Sequence, residues 1–203
     1  MAFTYFFRDL QTLEMIVEHV LPVVKTRRFI TIWSAGCAMG PEPYTIAIIL
    51  RENMGQMIFR NVRIIATDID ISDQFGRVIQ EGSYPYGDLK RIPEAIFSRY
   101  FSPDERVPGN YVIAEEIRRR VEFQRHDLLT LVPVRDHINL VVCKNVLLHF
   151  SEEERRSVLM MFYYALEGDG FLITEQTQKM PPELGERFLQ VIPHAQVFRK
   201  VAS

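Results

Sequence analysis

The chain has 203 residues, 47% of them hydrophobic and 25% charged, which is enough apolar side chain for one sizeable core. A formal net charge of −2 excludes a global attraction to nucleic acid or to an anionic membrane. No apolar run approaches the roughly 20 residues of a membrane span, the N-terminus lacks the pattern of a signal peptide, and the expected compartment is the cytoplasm.

Residues 6–21 place Phe7, Leu10, Leu13, Val17, Val20 and Leu21 at helical spacing and predict an amphipathic helix ended by Pro22. Thr4 stands before it as a candidate N-cap. Arg8 lies inside so apolar a stretch that it calls for an anionic partner. Residues 29–35 read as a strand, and a loop of small residues follows through Ala35, Gly36, Cys37, Ala38 and Gly40 before a helix predicted over 42–54. Such a turn is a ligand site by construction, because free backbone N–H groups and the positive end of a helix lie beyond the carboxyl end of a strand. Pro41 and Glu42 are also ordinary helix-start residues.

A second apolar strand, 62–67, closes on Asp68 and Asp70. An acid at Asp68 can accept both hydroxyls of a ribose, whereas Asp70 is expected to cap the helix that starts near Ser72. Residues 82–109, rich in Tyr, Pro, Gly and charge, read as part of an insertion with a short helix over 93–100 and a strand over 111–114. Arg118, Arg119 and Arg120 suit a solvated charged face. Strand 121–125 leads into His126, Asp127 and Leu128, and the wholly apolar strand 138–143, of the kind buried in parallel sheets, leads into Lys144, Asn145 and Val146.

Ser151 and Glu154 match a capping box at the start of a helix carrying Val158, Leu159, Phe162 and Leu166. Gly168, Asp169 and Gly170 predict a turn, 171–175 a strand, 182–190 a helix and 196–201 a last strand. The alternation of strand and helix predicts an α/β fold, a three-layer sandwich doubly wound on a mostly parallel sheet. Its first and fourth strands would be neighbours, which brings Cys37 and Cys143 near each other. These 2 cysteines cannot form a disulfide framework and have no His or Cys at metal-ligand spacing, so no metal is expected.

The loop at Gly36 is not a Walker loop, since no Gly-Lys-Ser/Thr follows it, and Gly36 with Gly40 gives G-x-x-x-G, not the G-x-G-x-x-G of a dinucleotide site. Asp68 lies 28 residues past Gly40, beyond the usual interval of about 20 to a ribose acid. A carboxylate at Glu42 would repel phosphate and suits an ammonium or sulfonium ligand, a description that S-adenosylmethionine fits.

The segments Thr4-Tyr5-Phe6-Phe7-Arg8-Asp9, Trp33-Ser34-Ala35-Gly36-Cys37, Ala66-Thr67-Asp68-Ile69-Asp70, Gly82-Ser83-Tyr84 and Cys143-Lys144-Asn145-Val146-Leu147 together closely resemble the CheR family of chemotaxis receptor methyltransferases, in order and over nearly the whole chain. The resemblance implies a class I, Rossmann-like methyltransferase fold with a small antiparallel β-subdomain inserted at about 86–121. It also implies a protein-glutamate O-methyltransferase that uses S-adenosylmethionine, leaves S-adenosylhomocysteine and acts on the cytoplasmic helices of chemoreceptors. By position, Thr4, Arg8, Ala35, Gly36 and Glu42 would contact the cofactor, Asp68 its ribose, Asp127 and Leu128 the adenine side, and Asn145 with Val146 the methionine portion. Arg8, and more weakly His149, would orient the acceptor carboxylate.

The chain departs from the family at several positions. Lys144 replaces a common Arg, Asp127 a common Asn, His149 a Tyr near the acceptor, and Pro41 the first of a usual Glu pair. No Gly-rich loop for a receptor's C-terminal peptide stands in the insertion. The family's helical domain, about 70 to 90 residues and small for a domain, is expected to be absent before Thr4. Two other readings share the same residues: an enzyme of this fold with another protein or small-molecule acceptor, and a non-catalytic sensor of S-adenosylmethionine or S-adenosylhomocysteine.

Overall fold

The computed structural model describes residues 4–177 and 179–201. In chain order the strands are β1 (Ile30–Ala35), β2 (Val62–Asp68), β3 (Ser83–Pro85), β4 (Phe101–Pro103), β5 (Asn110–Ile113), β6 (Val121–Arg125), β7 (Ile138–Cys143), β8 (Leu166–Thr174), β9 (Phe188–Gln190) and β10 (Val197–Lys200). Seven of them form one sheet in the order β6-β2-β1-β7-β8-β10-β9. The first five of that order run parallel, and β10 is antiparallel to both β8 and β9.

The central parallel strands β1 and β7 are buried on both faces because both faces are covered, whereas edge strand β6 leaves Glu122, Gln124 and Arg125 exposed. In β7 all six residues are buried. Leu140 and Val142 point into one core with Ile30 and Ile32, whereas Val141 and Cys143 point into the other with Trp33 and Ala35. Helix Pro41–Asn53 packs its Tyr44, Ile46 and Ile48 into the first core, and helix Glu152–Ala165 packs Val158, Leu159 and Phe162 into the second. The capping box at Ser151 and Glu154 is formed, so the second helix starts where the sequence places it.

A second, three-stranded antiparallel sheet has the order β3-β5-β4. It is fastened to the main body at the small-residue loop, where Tyr84 Oη donates to the Met39 carbonyl at 2.7 Å. The Phe6 ring meets Tyr84 and Phe101 edge-on, with centroids 5.0 and 5.7 Å apart.

Four expectations from the sequence are corrected. The first helix starts at Leu10 with Asp9, not Thr4, as its N-cap, since Phe7 sits at φ 55° with its N–H bound to Thr45 Oγ1, which holds the residues before it out of a helix. Pro22 does not end that helix: a π-helical turn, Ile16–Val20, is followed by Leu21–Val24, and the proline falls in the first turn of the resumed helix, where its missing N–H is tolerated. Gly168, Asp169 and Gly170 lie inside β8, whose pairing with β7 is irregular between Ile138 and Leu140. Residues 182–190 form a 3₁₀ turn, Pro182–Leu184, and then β9, because pairing of Phe188 with Lys200 competes successfully with helical spacing.

Candidate functional site

The strand order reverses between β1 and β7, the place where open α/β sheets leave a crevice beyond their carboxyl ends. A cavity of about 470 Å³ opens there, and Thr4, Arg8, Gly36, Glu42, Asp68, Asn145, Val146 and His149 all line it. Parts of the chain as distant as Thr4 and His149 therefore share one wall.

The loop after β1 is shaped by its contacts with β2. Gly36 and Cys37 both donate their N–H to the Thr67 carbonyl, at 2.7 and 2.9 Å. Gly36 has φ +85°, and a Cβ there would lie 2.1 Å from Val146 Cγ2, so only glycine lets the β7 loop close onto the β1 loop. Ala38, at φ 48°, is held in the left-handed region by its N–H bond to Asp68 Oδ2 at 2.9 Å. Asp68 Oδ1 accepts the Asp70 N–H at 3.2 Å, and each carboxylate oxygen keeps a further lone pair for a ligand hydroxyl. Asp70 itself caps helix Phe75–Glu81 by accepting from Gln74, Phe75 and Gly76, as expected.

Glu42 stands in the first turn of helix Pro41–Asn53 and accepts the Ser34 hydroxyl at 2.7 Å. Burial pushes its carboxyl up to about 7, against the opposing pull of the Ser34 hydrogen bond and of the Lys144 and Arg8 charges. A cation placed beside it would restore its ionisation. Asn145, at φ 59°, has its N–H on Glu175 Oε2 at 3.2 Å, so a buried carboxylate fixes the left-handed turn of the β7 loop much as Asp68 fixes that of the β1 loop.

Two features were missed in the sequence. Asp9 and Lys144 form an ion pair that ties residues 4–9 to the end of β7, and the Lys144 ammonium also donates to Thr12 Oγ1 at 2.9 Å. Burial opposes the Asp9 charge, but the Lys144 and Thr12 hydrogen bonds outweigh it and hold its carboxyl below the usual range. The only hint was Lys144 itself, a cation directly after a buried strand. Glu175, an acid at the end of β8, had no sequence signal because its partner is a backbone N–H.

Three of the expected residues lie off the cavity wall. Ala35 is buried in β1, Leu128 is buried beside Trp33 and Ala35, and Asp127 caps the turn Leu128–Thr130 by accepting the Leu129 N–H at 2.9 Å. They adjoin the site all the same, since the His126 N–H bonds the Asp68 carbonyl at 2.9 Å. Cys37 and Cys143 are both buried free thiols, and burial pushes both pKa values well up, which leaves them unreactive. Among the described residues no group of three or more His, Cys, Asp and Glu side chains could hold a metal ion, and no helix is long and apolar enough to cross a membrane.

The donor set fits an adenosyl ligand with a positive centre: a β2 acid for ribose hydroxyls, a closely packed glycine turn, and a buried glutamate whose charge a cation would stabilise. With the strand order of the sheet, these features define a class I S-adenosylmethionine-dependent methyltransferase domain. Solved methyltransferases share the fold: the rRNA methyltransferase aviRa of Streptomyces viridochromogenes superposes with a TM-score of 0.57 at 12% identity over 98% of this chain and 87% of its own. A methyltransferase from Geobacter sulfurreducens does so with a TM-score of 0.54 at 12% identity, covering 96% of this chain and 81% of its own.

Residues 2–195 match the model of the CheR methyltransferase SAM binding domain, and the chain belongs to that family. Chemotaxis protein methyltransferase 2 of Vibrio cholerae is 31% identical over 97% of this chain and 67% of its own length. Chemotaxis protein methyltransferase 1 of Pseudomonas aeruginosa is 34% identical over 83% of this chain and 63% of its own. S-adenosylmethionine is thus the cofactor of the domain, which spans about two thirds of the length of these relatives.

Proposed function

We propose that this protein transfers the methyl group of S-adenosylmethionine to glutamate side chains on the cytoplasmic helices of chemoreceptors, forming a methyl ester. The observation that carries the reading is the meeting of Thr4 and Arg8 with Asp68, Asn145 and His149 around one cavity. Relatives named chemotaxis protein methyltransferases support the acceptor class. In this reading Asp68 takes the ribose hydroxyls, Asp127 and Leu128 border the adenine, and Thr4, Gly36, Glu42, Asn145 and Val146 hold the methionine portion.

When bound, the cofactor supplies an electrophilic methyl group on a positively charged sulfur. The acceptor carboxylate, with an ordinary pKa near 4.3, is already ionised at neutral pH, so no residue here need act as a general base. What the chain provides is position. Arg8, exposed at the edge of the cavity, would pair with and orient the acceptor carboxylate, while His149 lines the same cavity. Alignment of this kind accounts for roughly 7 to 11 kcal/mol of barrier lowering in well-oriented reactions. Glu42 would be ionised beside the cofactor's positive charge, and the Asp9–Lys144 pair ties residues 4–9, which bear Arg8, to the end of β7.

The test is transfer of labelled methyl from S-adenosylmethionine to receptor-bearing membranes. Label on the receptor that is released as methanol by mild alkali is the expected outcome, since glutamyl methyl esters are alkali-labile. Alkali-stable label on the receptor, or none, would overturn the assignment.

A further inference from the structure

The connection between β3 and β4 carries an exposed cation, stacked on a ring that lines the cavity, that the proposed chemistry leaves without a task. Arg91, exposed just after helix Tyr86–Leu89, places its guanidinium carbon 4.0 Å from the centroid of the Tyr5 ring. Tyr5 lines the cavity, and the guanidinium of Arg8 lies over the same ring at 5.7 Å. One cavity-lining ring therefore carries two guanidinium groups, one from residues 4–9 and one from the β3–β4 connection.

Arg91 differs from most arginines of this chain in its partners. Arg51, Arg63, Arg99, Arg106 and Arg119 each hold a carboxylate within 3.1 Å. Among the described residues Arg91 makes no ion pair or hydrogen bond, and its guanidinium stacks on the Tyr5 ring. Stacking on an aromatic face orients a guanidinium while leaving its N–H edge free for a planar, bidentate anion. The aromatic platform is itself anchored, since Tyr5 immediately precedes the buried Phe6, which packs on Tyr84 and Phe101 of the inserted sheet.

We infer that Arg91 is a specificity-determining residue for the acceptor: it receives a second carboxylate of the acceptor segment, within one helical turn of the glutamate presented to Arg8. Side chains three or four residues apart on a helix have Cβ atoms about 5 to 6 Å apart, a spacing that lets one acidic pair reach two cations sharing a ring. The inference rests on the proposed transfer to receptor glutamates and adds to it a preference for acceptors in an acidic context.

The experiment compares two helical receptor peptides with the same acceptor glutamate, one with an acidic residue one turn away and one with glutamine there. Each is assayed with the wild-type chain, Arg91→Ala, Arg91→Lys and Arg91→Glu, with S-adenosylhomocysteine affinity measured for all four. For the acidic peptide, Arg91→Ala is expected to raise KM about 10-fold, with kcat and S-adenosylhomocysteine affinity unchanged, an effect worth about 1.4 kcal/mol. It leaves the glutamine peptide unaffected. Arg91→Lys recovers part of the loss and Arg91→Glu reverses the preference. Equal losses on both peptides would mean that Arg91 merely supports Tyr5 and would overturn the inference, as would no loss at all. A wild-type chain that methylates neither peptide nor receptor membranes would instead remove the proposed function, and the inference with it.

Discussion

The two ends of the main sheet use their charged side chains in opposite ways. At the amino end, Arg27 pairs with Asp169 and lies 3.8 Å from Glu167, and Arg199 lies 3.7 Å from Asp169. Glu167 accepts from Asn139 Nδ2 at 2.8 Å, and Asn139 Oδ1 accepts the Thr31 N–H at 2.7 Å. The network closes on itself and finishes the strand ends. At the carboxyl end, Glu42 accepts the Ser34 hydroxyl and has a carboxyl raised to about 7, while Asp68 keeps lone pairs that face a cavity. Charges that satisfy one another hold a fold together, whereas charges left half-satisfied around a cavity are set for a ligand.

The sharpest break of this contrast is Arg8→Ala, expected to lower methyl transfer about 1000-fold, within the range available to positioning, and to leave the melting temperature within about 2 °C because the side chain is exposed. Unchanged transfer would take Arg8 out of the site. Asp68→Ala removes the expected ribose contacts and the bond that holds Ala38, and calorimetry should show S-adenosylhomocysteine affinity falling about 100-fold, the scale of two lost hydrogen bonds to a charged group.

Glu42 gives a pH test. Its folded-state carboxyl, about 7, lies above the ordinary 4.5, so its contribution to stability is fully present below pH 4.5 and is lost as pH rises through about 7. The unliganded protein should lose on the order of 2 to 3 kcal/mol from this group across that interval, and Glu42→Gln should abolish that part of the slope. S-adenosylmethionine, which gains from the ionised carboxylate, should bind about 10-fold tighter at pH 8 than at pH 6 in the wild type and show no such change in Glu42→Gln. Melting curves and titrations at the two pH values check both. The smallest effect belongs to the amino end: Glu167→Gln should cost about 1 kcal/mol or less and leave cofactor affinity unaltered, and a large loss of affinity would erase the distinction between the two ends.

Most of the framework was legible because its signals are local. Strand β7 falls where its apolar run places it, Ser151 and Glu154 form the expected capping box, and Asp70 caps its helix through three backbone N–H groups. Residues 6–9 are not legible as non-helical, because helical spacing at Phe7 and Leu10 does not reveal that a long-range bond from Phe7 to Thr45 fixes a positive φ. Residues 182–190 were misread because Leu184 and Phe188, four apart and both buried, satisfy a helix pattern as well as they do a 3₁₀ turn followed by an edge strand. At the site, Gly36, Glu42 and Asp68 stand out by their positions at strand ends and a helix start, whereas a cofactor role for Asn145 follows only from the family resemblance. The Asp9–Lys144 pair and the Glu175 hold on Asn145 required three-dimensional proximity that no spacing encodes.

The central claim, that the half-satisfied charges between β1 and β7 form the S-adenosylmethionine site, is tested most directly by a crystal structure with S-adenosylhomocysteine. The expected result is ligand density in that cavity, with both ribose hydroxyls hydrogen-bonded to Asp68 and the methionine portion between Glu42 and Asn145. Density elsewhere, or a ribose turned away from Asp68, would contradict it.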